Sequence, residues 1–155
     1  MKLSKPTIIR ATEKQGMQTN YSEYIFHLSS YMVNGSIGLF EGRFRETRMN
    51  YNLHYHKKMA ELFTVIKGEF YFILDNNEYV LREDDTAIIP PMIVHGFKPK
   101  LPNSRLQFIF TNTDDREIFF TNLAKIVNGE TVMSEEELEV FYNSHDQYSI
   151  KKENV

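Results

Sequence analysis

The chain has 155 residues, 41% hydrophobic, 14% aromatic and 25% charged, with a net charge of -3, the composition of one soluble domain large enough to bury a core. It has no cysteine, which excludes disulfides, thiolate zinc sites and cysteine nucleophiles. No apolar run approaches the roughly 18 residues of a membrane span, the N-terminus lacks an apolar signal core, and no basic cluster invites nucleic acid, so a cytoplasmic protein is expected, with neither a membrane nor a nucleic acid as partner.

In chain order, residues 7–10 suggest a short leading strand and 11–20 a polar connector. Residues 21–28 alternate as a strand. Asn34-Gly35, between Tyr31-Met32-Val33 and Ser36-Ile37-Gly38, reads as a hairpin, because Asn-Gly supplies the two positive φ angles of a type I′ turn. Residues 39–48 set Phe40 and Phe44 against Arg43 and Arg45 on the opposite parity. These arginines belong to a solvated outer face, unless one of them turns to a cavity. Residues 62–66 continue as a strand to Lys67-Gly68, and 69–74 pairs with 79–82 around the turn cluster Asp75-Asn76-Asn77-Glu78. Residues 83–85 turn the chain, 86–89 form a strand, Pro90-Pro91 bends it, 93–97 returns, and 106–111 completes the set. Segments 70–74 and 108–110 are apolar on both parities, which predicts a cover over the outer face. Phe119, Phe120, Leu123 and Val127 have helical spacing within 114–127, ahead of a left-handed cap at Asn128-Gly129. Ser134-Glu135-Glu136-Glu137 is a capping box opening a second helix, with Leu138, Phe141 and Tyr142 on one side. Residues 149–155 read as a frayed tail.

The chemistry concentrates in NYNLHYHKKMAELFTVIKG, residues 50–68. Side chains at i and i+2 share a strand face, so His54 and His56 can aim two imidazoles at one point. Glu61 has the opposite parity on an unbroken strand, but a turn at Lys57-Lys58 would restart the pairing with Glu61, Phe63 and Val65 inward. His95 would join them from a distant strand. Three imidazole nitrogens and one carboxylate oxygen suit a divalent first-row metal, Fe, Mn, Ni, Cu or Zn, with positions left open for chemistry. His27 and His145 lack such company and read as structural or surface residues. The plainer alternative is a barrel whose site stays empty or does acid-base work.

H-x-H-x4-E-x6-G at His54, His56, Glu61 and Gly68, followed by P-x4-H at Pro90 and His95, resembles the two motifs of the cupin family. The resemblance implies a mainly β fold, a double-stranded β-helix (jelly-roll) barrel with two C-terminal α-helices, and His54, His56, Glu61 and His95 as metal ligands. It implies barrel residues 1–112, a helical extension at 113–148 that acts as lid or brace, the tail at 149–155, and a homodimer joined through sheet faces. Arg48, Asp84, Met92 and Pro99 depart from the usual glycines and asparagine of the motifs, at turn and lining positions rather than ligands. Apolar, largely aromatic residues drawn from Phe63, Phe70, Phe72, Met92, Phe97, Phe108 and Phe110, on the one parity of each strand that points in, would line a pocket for a small organic molecule.

Similarity to quercetin dioxygenase-like cupins implies an oxygenase-like oxidoreductase in which Glu61 can also take a proton from the substrate. The alternatives are a metal-dependent isomerase or decarboxylase and a non-catalytic, ligand-sensing barrel. For the isomerase, Tyr51 is the acid-base candidate, since Tyr55 lies between two inward residues and points out.

Overall fold

The structure, a computed structural model, describes residues 5–113 and 115–150. Strands β1 (Gln15–Gln18), β2 (Ser22–Leu28), β3 (Ile37–Phe44), β5 (Glu61–Lys67), β8 (Thr86–Ile89) and β10 (Ser104–Thr111) form one antiparallel sheet in the order β1-β2-β3-β10-β5-β8. Strands β4 (His54–Tyr55), β6 (Glu69–Leu74), β7 (Asn77–Arg82), β9 (His95–Pro99) and β11 (Tyr148–Ser149) form the second, in the order β11-β4-β9-β6-β7. Helices α1 (Arg116–Val127) and α2 (Glu135–Ser144) follow the barrel strands. This is a double-stranded β-helix with two C-terminal helices. No helix of the described residues is long and apolar enough to cross a membrane.

The alternation of β3, β5 and β10 explains the core. Phe40 and Phe44, Phe63 and Val65, and Leu106, Phe108 and Phe110 all point between the sheets and are essentially fully buried. They meet Phe70 and Phe72 of β6, with Phe44 edge-on to Phe70 and Phe63 edge-on to Phe72 at centroid distances of 5.6 and 5.2 Å. Edge-to-face pairs of this kind add about 0.5–1.5 kcal/mol each beyond the area they bury. The turn Asp75-Asn76 takes two left-handed conformations, φ 46° and 66°, and closes the β6–β7 hairpin in the form its asparagine-rich sequence suggests.

The structure departs from the sequence expectations in several places. Residues 7–10 form no strand; a 3-10 turn occupies Ala11–Glu13, and the leading strand is β1, inside the expected connector. Edge pairing to β2 overrides the polar composition of Gln15–Gln18. Asn34 and Gly35 do take positive φ angles, 58° and 73°, but they end a 3-10 turn at Ser30–Val33 instead of closing a hairpin. Arg43 is exposed and bonds Glu41 and Glu23 on the outer face, where Glu41 also accepts from Arg105 and His27. Met92 is 60% exposed rather than pocket-lining, because its φ of 71° turns the chain outward. Ser149 pairs with His54; the tail beyond residue 150 lies outside the described residues.

Helix α1 does not blanket an outer sheet face. Phe120 contacts Tyr24, Phe26, Phe40, Phe108 and Phe110, so the helix plugs the open side of the barrel between the sheets. Its first turn is fastened by Glu117, whose carboxylate accepts from the Ser30 backbone N–H at 3.0 Å and the Ser30 hydroxyl at 2.8 Å. Helix α2 carries the capping box at Ser134 and Glu137 and stacks Phe141 on Phe119, 5.5 Å between centroids.

Candidate metal centre

His54 and His95 are directly paired across β4 and β9, which sets their rings 4.4 Å apart. His56 lies two residues on, on the same face, with its ring centroid 4.9 Å from that of His54. Glu61 opens β5, paired with Ile89 and Phe110, so its carboxylate enters from the opposite sheet. One ligand atom from each of the four falls within 4.8 Å of all the others, and all four residues are buried.

The change of parity between His56 and Glu61 is made by a loop at residues 57–60 held from far away in the chain. The carboxylate of Asp146 accepts from the backbone N–H groups of Lys57, Lys58 and Met59 at 2.9–3.0 Å. This loop lets Glu61, Phe63 and Val65 all face inward.

The hydrogen bonds of the rings decide their tautomers. His54 Nδ1 faces the Asn52 carbonyl at 2.7 Å, His56 Nδ1 the Asp146 carbonyl at 2.6 Å, and His95 Nδ1 the Ile93 carbonyl at 2.9 Å. A carbonyl oxygen only accepts, so each Nδ1 carries the hydrogen and each neutral ring turns a bare Nε2 inward. Two of those lone pairs, on His56 and His95, meet one oxygen, Glu61 Oε2, at 3.1 and 2.9 Å. Lone pairs facing a carboxylate oxygen require a positive charge, either a proton on a ring or a cation among the four groups. The donor set therefore fits a divalent metal: three oriented imidazoles and one carboxylate, with the backbone carbonyls as outer partners.

The electrostatics agree. Burial lowers the basicity of His54 well below the ordinary histidine value, and repulsion from His95 adds to this. Burial would also lower His95, but its bond to Glu61 outweighs that and leaves it raised. Burial alone would raise Glu61; the His56 and His95 rings against it, wherever they carry positive charge, outweigh burial and hold its carboxyl far below the usual carboxylate range.

A cavity of about 120 Å³ opens on His54 and Glu61, with Met49, Phe97, Phe108, Phe119 and Phe120 among its walls. Tyr51 is not part of it. Its hydroxyl donates to Glu78 at 2.7 Å and Lys98 sits 4.6 Å over its ring, so the residue is held outside the cavity lining, away from the ligand cluster. Burial, followed by the Glu78 carboxylate, pushes that hydroxyl above its ordinary value. Tyr55 points out and stacks on Tyr148. His27 bridges Lys14 and Glu41, and His145 packs on Phe119 and Phe141 at the end of α2.

Sequence reasoning missed three contributors: Asp146, Arg116 and Gln147. Arg116 and Gln147 line the cavity, and Asp146 holds the ligand loop. No motif marks them, since all three reach the site from after the barrel strands.

Residues 48–100 match the family model described as a cupin domain. No curated protein sequence matches the chain. Among solved structures, KdgF from Halomonas sp. aligns with a TM-score of 0.62 and 15% identity, over 73% of this chain and 99% of that one. An RmlC-like cupin from Shewanella frigidimarina gives 0.56 and 17%, over 71% and 92%. The iron(II) form of HppE gives 0.59 and 11%, over 71% and 62%. The cupin-domain match over residues 48–100, the jelly-roll topology shared with these structures and the buried His/Glu cluster coincide on one cupin-like barrel.

Proposed function

We propose that this chain is a cupin metalloenzyme that binds a divalent first-row metal through His54, His56, Glu61 and His95 and acts on a small organic molecule by oxygenase-like chemistry. The observation that carries the reading is the orientation of three Nε2 lone pairs and Glu61 Oε2 toward one point beside an aromatic cavity. A redox-active metal bound there supplies a Lewis acid and a site for O2. The iron(II) carried by its structural neighbour HppE is compatible with that choice of metal.

The residues of the chain have the remaining tasks. Phe97, Phe108, Phe119 and Phe120 exclude water and seat an apolar substrate body. Glu61 is the carboxylate on the cavity wall positioned to receive a substrate proton when it loosens from the ligand cluster in this buried site.

Elemental analysis of the purified protein and of its iron(II)-loaded form tests the first half: close to one metal per chain is expected, and none under any loading condition refutes it. Substrate consumption by the loaded protein is expected to stop in strict anoxia. Turnover that continues without O2 replaces the oxygenase reading with isomerisation or decarboxylation.

A further inference from the structure

The buried guanidinium of Arg116 lies in the same cavity as the metal ligands and is not accounted for by the metal. It is 3% exposed and lines the cavity together with His54, Glu61 and Gln147. Of its five N–H groups, one on Nη2 donates to Gln147 Oε1 at 2.8 Å and one on Nη1 to the His145 carbonyl at 3.3 Å. Its buried Nε has no partner. Its charge forms no ion pair among the described residues; Glu61 and Asp146 attract it from longer range. Burial pushes its pKa down to about 10, which leaves it cationic at neutral pH. Among the described residues the guanidinium also faces aromatic rings, its carbon 3.8 Å from the Phe119 ring centroid and 4.6 Å from that of Phe110.

A buried cation without a counter-ion is costly to hold, and an orphaned buried N–H adds to that cost. The missing counter-charge is relieved by one kind of ligand. We infer that Arg116 is the specificity-determining residue of this site and selects a small organic carboxylate, whose oxygens accept from the Nη1 and Nη2 N–H groups that His145 and Gln147 leave over while another part of the molecule faces the His/Glu cluster. This rests on the metalloenzyme reading for the role of that second part, but the carboxylate contact itself does not need the metal. A planar guanidinium accepts a carboxylate through two parallel bonds, which a lysine at the same place does not reproduce.

The cavity limits the size of the acid. Its volume of about 120 Å³ is room for a small acid or for the carboxylate end of a longer one. The apolar walls at Met49, Phe97, Phe108 and Leu123 favour a hydrocarbon body over a sugar. Neutral His ligands, one carboxylate and a divalent ion sum to one positive charge, so with Arg116 the site offers two, which suits an acid able to present a second oxygen beside its carboxylate.

The test uses the full chain, apo and zinc-loaded, titrated calorimetrically with acetate, pyruvate and malonate, and with methyl pyruvate as the uncharged control. At least one acid is expected to bind the loaded protein and the ester to bind at least tenfold more weakly. Arg116→Gln and Arg116→Lys are each expected to lose roughly 10–100-fold in affinity for the acid while keeping full zinc content. In the unaltered protein, the 15N Nε–H resonance of Arg116, assigned by its disappearance from the Arg116→Lys spectrum, is expected to shift on adding the acid, with or without zinc. An unmoved resonance, binding by the ester equal to that of the acid, or no binding of any of the three acids overturns the inference. Zinc content separates the two readings. A protein that takes up no metal yet shows the resonance shift keeps the carboxylate site and loses the metalloenzyme; full zinc without the shift does the reverse.

Discussion

Asp146 ties the C-terminal segment to the His/Glu cluster, and its replacement measures that tie. Its side chain accepts three backbone N–H bonds from Lys57, Lys58 and Met59, and its own carbonyl holds His56 Nδ1. Its φ of +56° is a left-handed conformation that asparagine and glycine tolerate better than alanine. Asp146→Asn and Asp146→Gly are therefore the informative pair. Hydrogen bonds to a charged acceptor are worth about 1.5–3 kcal/mol when buried. Lys57 and Lys58 are exposed and Met59 is buried, so about 0.5–1 kcal/mol each for the first two and about 1.5 for the third is reasonable, near 3 kcal/mol in total. Asp146→Gly should lose about that amount. Asp146→Asn, which keeps one accepting oxygen but turns an NH2 toward the donors, should lose roughly half.

Both variants retain the backbone carbonyl that His56 needs, so any fall in metal affinity reports a loop that no longer places His56 and Glu61 together. The expected fall is about 10–100-fold, the range for loss of an outer partner of a metal ligand. Urea unfolding of the apo protein measures the stability, and zinc competition against a chromophoric chelator measures the affinity. If Asp146→Gly stays within about 0.5 kcal/mol of the parent and within about twofold in zinc affinity, the loop does not depend on Asp146 and the account of the parity change fails.

His54→Ala and His95→Ala should each leave little metal after gel filtration, and full retention in either variant refutes the ligand set. Gly68, at φ +83°, has room for no side chain: a Cβ would meet Ser104 Oγ and lie 2.9 Å from Ser104 Cβ. Gly68→Ala should therefore cost about 3 kcal/mol in urea unfolding, combining left-handed backbone strain with a clash. Burial alone would raise Glu41, but bonds from Arg105, Arg43 and His27 lower its pKa to about 2. A depressed carboxyl stabilises the fold above its ordinary value of 4.5 and loses that contribution as pH falls toward 2. Because Arg43 and Arg105 are solvent-accessible, the effect is discounted to about 1 kcal/mol. Glu41→Gln should be less stable than the parent by that amount at pH 7 and equal to it near pH 2; a gap that persists at low pH refutes the assignment.

Much of this molecule is readable from local chemistry. The spacing of His54 and His56 is a strand-face statement, and the alternation of Phe63 with Val65 and of Leu106, Phe108 and Phe110 marks inward positions before any coordinates are known. The Asp75-Asn76 turn and the Ser134 capping box likewise follow from side-chain and backbone preferences within a few residues. Where the reading erred, a tertiary contact outweighed a local one: polar Gln15–Gln18 is a strand because β2 offers it an edge.

Sequence alone determines that three histidines and one glutamate can share a point, because that depends on the two-residue period of a strand and on a turn whose existence the lysine pair suggests. Only the tertiary structure decides what surrounds that point. The hydrogen-bond acceptors that fix the ring tautomers, the Asp146 clamp on the ligand loop and the buried Arg116 in the cavity are brought in across separations such as the 90 residues between His56 and Asp146. No periodicity records such contacts, since they arise where the C-terminal helices close the barrel and not within any one element.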